Sequence, residues 1–349
     1  MDNRMVKALL EWYEKEKRTL PWRDQNNAYY TWISEIMLQQ TRVEAVKPYF
    51  IRFTEVLPGI ADLADCPEEK LMKLWEGLGY YSRVRNMQIA ARQVMSEYGG
   101  SLPADYNKLL KLKGIGEYTA GAIASLAYNI AIPAVDGNVL RVMTRVTENH
   151  GDIMLPAVRK EIRELVQTLI PEDRPGDFNQ ALMELGAVVC VPNGPPHCSE
   201  CPVCVFCEAR QKGCQEALPV KSPKKERRIE DKTILVIQDG KYTAIRKRPK
   251  KGLLAGLYEL PNVSGHIDRE QALDYIRRMK LEPLQIEPLE KAKHIFSHIE
   301  WHMIAYRIRV ASFEENKIPG IHFVDRKESR ESYAIPSAFH AYTKYMKEE

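Results

Sequence analysis

The sequence has no uninterrupted apolar run approaching the roughly 18 residues that span a bilayer, so a transmembrane helix is excluded. Nor does it have a secretory start. MDNRMVKALLEWYEKEKRTL mixes acids and bases where a signal peptide needs a continuous apolar stretch, and a cytoplasmic location is the expectation. An excess of one charge is also missing: 51 basic and 47 acidic residues leave a net charge of only +4, short of the strongly basic footprint that marks a nucleic-acid binder by charge alone. Residues 1–215 even lean acidic, with 25 basic against 27 acidic side chains. Repeats and low-complexity tracts are absent, which sets solenoids aside. Ordinary globular usage, 44% hydrophobic and 28% charged over 349 positions, excludes a disordered or fibrous chain and gives material for two or three domains.

Cysteine is scarce outside one stretch. Of seven, only Cys66 lies outside Cys190–Cys214, and clustering of this kind in a cytosolic chain argues for a metal centre before disulfides. Cys190, Cys198, Cys201 and Cys207 give C-x7-C-x2-C-x5-C around Pro192, Gly194, Pro195 and Pro196, a turn-rich loop able to wrap one tetrahedral ion or a cubane cluster. Zinc usually takes paired C-x2-C knuckles, so a single pair with unequal flanks favours iron–sulfur while leaving zinc open. Cys204 lies inside the loop and could substitute for a neighbour.

Residues 1 to about 215 read as helices, with spacings of three and four such as Val139, Val142, Met143, Val146. EALPVKSPKKERRIED, residues 216–231, reads as a linker. Beyond it, ILVI at 234–237, YTAI at 242–245 and 299–310 predict strands, with helices near 268–280 and 337–347, so the last third is an α+β domain.

Three segments carry chemistry. KLLKLKGIGEYTAGAIASLAY, residues 108–128, sets a Gly114-Ile115-Gly116 turn between two helices. Such a helix–hairpin–helix can present backbone N–H groups to a phosphate, although alone it also reads as an ordinary turn. In AVDGNVLRVMTRV, Asp136 precedes a periodic helix with Asn138 as its expected N-cap; the helix dipole favours an ionised Asp136, which could equally be only a cap. In TWISEIMLQQTRVEAVKPYF, Thr41 and Glu44 predict a capping box, making Leu38-Gln39-Gln40 a junction. Glu35 sits among Trp32, Ile33, Ile36 and Met37. Apolar surroundings raise a carboxyl pKa toward that of a general acid; the other reading is a Glu on the polar edge of its helix. A protonated Glu and an ionised Asp resemble the acid-plus-stabiliser pair used to cleave glycosidic bonds, although sequence alone does not bring them together. Gln39 and Gln40 offer amides for base edges, and Tyr80 and Tyr81 beside Arg83 and Arg85 suit stacking on nucleic acid or a core tyrosine pair.

The chain resembles the adenine DNA glycosylases of the MutY type, within the helix–hairpin–helix and endonuclease III superfamily, over essentially its whole length. The resemblance rests on PWR at 21–23, SEIMLQQTRVE at 34–44, WEGLGYYSRVRN at 75–86, LKGIGEYTAGAI at 112–123, AVDGNV at 134–139, the cysteine loop and HIFSH at 294–298. It implies a mainly α N-terminal region, with an iron–sulfur helical subdomain (1–28 and 134–215) and a six-helix subdomain (29–133). A linker (216–231) and a C-terminal α+β Nudix-like lesion-recognition domain (232–349) follow. It implies one [4Fe–4S] cluster on Cys190, Cys198, Cys201 and Cys207, and a monomer acting on double-stranded DNA in which adenine faces 8-oxoguanine. The location it implies is cytoplasmic, with the nucleoid when DNA is bound.

Catalysis is implied for Glu35 (proton to adenine N7), Asp136 (stabiliser of the oxocarbenium-like sugar), Asn138 (positioning it) and Tyr118, which stands where bifunctional relatives carry a Schiff-base lysine and cannot form that imine. DNA and lesion contacts are implied for Arg23, Leu38, Gln39, Gln40, Thr41, Tyr80, Arg83, Gly114 and Gly116, and for Phe296, Ser297 and His298. GLLAGLYELP at 252–261 matches the Nudix loop and strand, but residues 265–290 lack the REx2EE cluster that holds a hydrolytic metal, so this domain reads as a non-catalytic lesion reader. Two rivals are a bifunctional pyrimidine-specific relative, opposed by Tyr118, and a Nudix pyrophosphohydrolase, opposed by the missing glutamates. A DNA sensor without chemistry would tolerate loss of Glu35 or Asp136.

Overall fold

A computed structural model describes residues 3–23, 27–223, 226–313 and 318–346. The backbone groups into two units, Met1–Asp65 with Arg85–Pro223, and Cys66–Val84 with Lys224–Glu349. No helix among the described residues is long and apolar enough to cross a membrane.

In chain order the first unit holds α1 (Asn3–Glu16), α2 (Ala28–Leu38), α3 (Val43–Val56) and α4 (Ile60–Asp65). Next comes α5 (Glu68–Leu74), which belongs to the second unit, and α6 (Ser82–Glu97), which leads the chain back. The first unit then continues through α7 (Tyr106–Leu109), α8 (Glu117–Ala122), α9 (Gly137–Val146), α10 (Pro156–Leu169), α11 (Pro175–Val188) and α12 (Glu208–Lys212). The three-and-four spacing expected of α9 buries Val139, Val142, Met143 and Val146. They meet Met5, Leu9 and Tyr13 of α1, Ile162 and Val166 of α10, and Phe178, Leu182 and Leu185 of α11 in one core. Ala209 and Cys207 close that core from the cysteine-loop side.

The second unit is a mixed sheet in the order β3-β2-β1-β6-β5. Its strands are β1 (Arg228–Asp239), β2 (Tyr242–Lys247), β3 (Tyr258–Glu259), β4 (Asn262–Ser264), β5 (Pro283–Ile295), β6 (Ile299–Val310) and β7 (Ile321–Val324). β1 and β6 run parallel in the register Arg228↔Ile299, and β5 returns antiparallel on β6. Central β1 is covered on both faces, so its side chains alternate between two cores. Ile234 and Val236 face Trp301, Phe339 and Tyr342, whereas Leu235 and Ile237 face Ala272 and Ile276 of α13 (Arg269–Arg278). α14 (Arg326–Ser332) and α15 (His340–Thr343) complete the unit.

Three boundaries differ from the sequence reading. The linker 216–231 is shorter. Val220 O accepts from Ile153 N at 3.1 Å, and Arg228–Asp231 already pair with Ile299–His302, because exposed charged side chains do not hinder a ladder. Lys224 and Lys225 of that linker lie outside the described residues. Cys66–Val84, expected within 29–133, groups with the sheet because Lys73 Nζ donates to Ser329 O (3.3 Å) and Tyr333 O (3.0 Å), and Glu76 Oε1 accepts from Ile335 N (2.8 Å). The helix expected at 337–347 is a 3-10 turn, Ser337–Phe339, followed by the short α15; Lys347 lies outside the described residues.

Candidate active site

Glu35 is 5% exposed on α2, and its neighbours Trp32, Ile33, Ile36 and Met37 are buried with it. Burial pushes its carboxyl up to about 7, against the opposing hydrogen bond from Tyr118; anionic Asp136 raises it further and Arg23 lowers it. The Tyr118 phenol, on the helix that follows the hairpin, donates to Glu35 Oε2 and lies 3.9 Å from Met183 Sδ. Tyr118 is held well above the usual phenol range, chiefly by burial and then by the Glu35 and Asp136 carboxylates. Glu35, Tyr118 and Asp136 therefore interact as one group, a relation the sequence could not show.

Asp136 is itself the N-cap of α9, correcting the expectation for Asn138. Oδ1 accepts from Asn138 N (2.9 Å) and Val139 N (2.8 Å), and Oδ2 accepts from Asn138 Nδ2 (2.7 Å). Helix entry at Gly137 leaves Asp136 at the cap and Asn138 in the first turn. Burial nevertheless wins over the N–H donors and Arg141, so the Asp136 carboxyl lies above its ordinary value rather than being lowered by the helix terminus. The loop before it is pinned by fully buried Asn179, which accepts from Ala134 N (3.0 Å) and donates to Ile132 O (2.9 Å) and Ser125 Oγ (2.8 Å). A Cβ on Gly186 would come within 2.6 Å of Asn138 Cβ; glycine there lets α11 press on the start of α9.

Sequence reasoning missed two groups. Arg141 donates to Asn138 Oδ1 (2.9 Å), Gly186 O (2.7 Å) and Cys190 O (2.8 Å), tying the α9 start to the cysteine loop. Glu184, 1% exposed on α11, accepts from Arg18 Nε and from Arg23 NH2, each at 2.5 Å, and so fixes the guanidinium that acts on Glu35. Glu184 is an acid on an apolar helix face, the same signal that marked Glu35; nothing local separates the two.

The junction after α2 differs in register. Gln39 is the C-cap, exposed Gln40 takes φ +60°, and α3 starts at Val43 with Arg42 as N-cap and no side-chain cap. The Thr41–Glu44 capping box does not form, because Glu44 pairs with Lys47 at 2.8 Å and Thr41 Oγ1 turns to Gln39 O. In the hairpin, Gly114 takes φ +81°, where a Cβ would lie 2.7 Å from Asn86 Cβ, and Gly116 is the N-cap of α8.

In the second unit, Tyr80 is 46% exposed at φ +46°, whereas Tyr81 is buried, so only one of the pair can stack on a partner. Arg83 donates to Leu78 O (3.0 Å) and Gly79 O (3.1 Å) and lies over the Trp75 and Tyr80 rings, shaping the loop that presents Tyr80; burial pushes it down to about 10. Phe296, Ser297 and His298 form the β5–β6 hairpin. Phe296 packs on His294 and Trp301, while exposed Ser297 and His298 meet through Oγ and Nδ1 at 3.2 Å.

Cys190, Cys198, Cys201, Cys204 and Cys207 line one pocket with Arg145 and Arg210, while Cys66 and Cys214 do not. Convergent thiolates are the donors that both an iron–sulfur cluster and a zinc ion take, so the residues lining this pocket fit a metal centre. Arg145 NH1 points at Cys190 Sγ (3.2 Å), a cation suited to a ligating thiolate.

Residues 33–170 match the HhH-GPD superfamily base excision DNA repair protein family, and residues 233–345 match the NUDIX domain. Fold and site thus define a helix–hairpin–helix base-excision repair protein with a C-terminal NUDIX domain. The adenine DNA glycosylase of Rattus norvegicus is 35% identical over 97% of this chain and 78% of its own length; that of Homo sapiens is 38% identical over 84% and 64%. A solved thermostable thymine-DNA glycosylase superposes with a TM-score of 0.55 at 30% identity, covering 60% of this chain and 97% of that one. The chain belongs to the adenine DNA glycosylase family, and so to the DNA glycosylases, which act on N-glycosyl bonds.

Proposed function

We propose that the protein excises adenine mispaired with 8-oxoguanine, and with guanine, from double-stranded DNA by hydrolysing the N-glycosidic bond and leaving an abasic site. The observation that carries this reading is the buried Glu35 carboxyl, held near 7 beside Tyr118 and Asp136. At neutral pH a substantial fraction of Glu35 is protonated and can donate to N7 of a flipped adenine as the C1′–N9 bond breaks. Asp136, fixed by three N–H donors, faces the positive charge that develops on the sugar, and Asn138 holds its Oδ2. Water adds to C1′ and returns its proton to Glu35, so the products are free adenine and an abasic sugar. Tyr118 has no amine with which to displace the base and forms no strand-cleaving imine itself, so lyase activity is absent or weak.

Cys190, Cys198, Cys201 and Cys207 would hold a [4Fe–4S] cluster, which when bound cross-links the loop they lie on. Arg23, Leu38, Gln39, Gln40, Thr41, Tyr80, Arg83 and the Gly114–Gly116 turn serve the DNA, and Phe296, Ser297 and His298 read the 8-oxoguanine. Duplexes differing only in the base opposite adenine test the substrate. Adenine release should be fastest opposite 8-oxoguanine, slower opposite guanine and absent opposite thymine; equal rates opposite all three would overturn the lesion specificity.

A further inference from the structure

Outside the catalytic group and the cysteine pocket, the ligand atoms of Glu148, His150 and Cys214 gather within 4.8 Å of one another. Glu148 follows the end of α9 at φ +49°, a left-handed setting unusual for a non-glycine residue, and its carboxylate meets Lys212 and Cys214 at the end of α12 and the turn after it. Its two oxygens are used differently. Oε1 has His150 Nε2 at 3.7 Å and Cys214 Sγ at 3.9 Å, while Oε2 is taken by Lys212 Nζ.

We propose that Glu148 Oε1, His150 Nε2 and Cys214 Sγ form a binding site for a zinc-class divalent cation, separate from the cysteine pocket. Imidazole, thiolate and carboxylate are the donors zinc takes, and tetrahedral ligand atoms at about 2.0–2.3 Å from the metal stand roughly 3.3–3.8 Å apart, close to the separations present. Lys212 on the second carboxylate oxygen leaves Oε1 as a monodentate ligand, the outer-shell support such sites commonly have. His150 is exposed, so the fourth position is open to water. Binding releases the Cys214 thiol proton to solvent. The ion would clip the exit of the cysteine loop to the end of α9, a restraint independent of what occupies the cysteine pocket and of the substrate.

The test uses the full-length protein with its iron and visible absorbance intact. Zinc is titrated against a chromophoric chelator, and cobalt(II) is used as a spectroscopic substitute. Wild type should bind one zinc equivalent that Cys214→Ser and His150→Ala each lose, and cobalt should give a thiolate charge-transfer band missing in Cys214→Ser. If Cys214→Ser fails to fold, the exposed His150→Ala decides. Zinc stoichiometry unchanged in His150→Ala, or a cobalt complex of wild type without a thiolate band, overturns the site.

Discussion

The Tyr118 phenol donates its hydrogen to Glu35 Oε2, joining the helix after the Gly114 hairpin to the helix that carries the buried acid. A donor to the carboxylate favours its charged form, so this bond works against the burial that lifts Glu35 to about 7. Tyr118→Phe should therefore move the alkaline limb of the single-turnover rate to higher pH. In wild type that limb should have its midpoint near 7 and fall as pH rises, since the acid must be protonated. A limb that stays in place or moves down would show that the bond does not set the acid.

The same pKa has a consequence for stability. Glu35 is neutral in the native protein up to about 7, whereas in the unfolded chain it ionises near the ordinary carboxyl value of 4.5. Its contribution is thus fully present below about 4.5 and lost as pH rises through 7. Glu35→Gln should be more stable than wild type at pH 8, by up to about 3 kcal/mol, with the gap closing toward pH 5. Thermal melts across that range read the difference; a gap that widens on acidification contradicts the burial argument.

Asn138→Ala removes the 2.7 Å bond to Asp136 Oδ2 and leaves the two backbone N–H bonds in place. The chemical step should slow by on the order of 10²-fold with little change in DNA affinity. Single-turnover rates beside equilibrium binding separate the two; a loss confined to affinity would assign Asn138 to DNA contact instead.

Gly114→Ala places a methyl group in the left-handed region and against Asn86. It should cost about 1–3 kcal/mol of stability and, if the hairpin binds backbone phosphates as proposed, weaken binding to undamaged duplex as well as to mispairs. Weakening confined to the lesion duplex would place the hairpin elsewhere.

Much of this architecture was legible in local pattern. The spacing of Val139, Val142, Met143 and Val146 marked α9, and ILVI at 234–237 marked a strand, which the structure buries on both faces. Ambiguity entered where two residues could do one job. D-G-N offers two caps, and only the start of the helix at Gly137 selects Asp136. T-x-x-E offered a cap that the backbone overrides, because left-handed Gln40 and extended Arg42 delay α3 to Val43. Long-range pairing was not legible at all. Glu184 declares itself only through Arg18 and Arg23, and α5 joins the sheet unit through backbone carbonyls some 260 residues away, for which Lys73 carries no signal of its own.

The proposed chemistry depends most on Glu35 as the acid. Its most direct test is single-turnover release of adenine from a duplex with adenine opposite 8-oxoguanine, comparing wild type with Glu35→Gln at matched DNA occupancy. The prediction is rapid release by wild type and a loss of at least about 10²-fold in the variant with binding retained. Release by Glu35→Gln at the wild-type rate, or a wild-type protein that binds the duplex and leaves adenine in place, would contradict it.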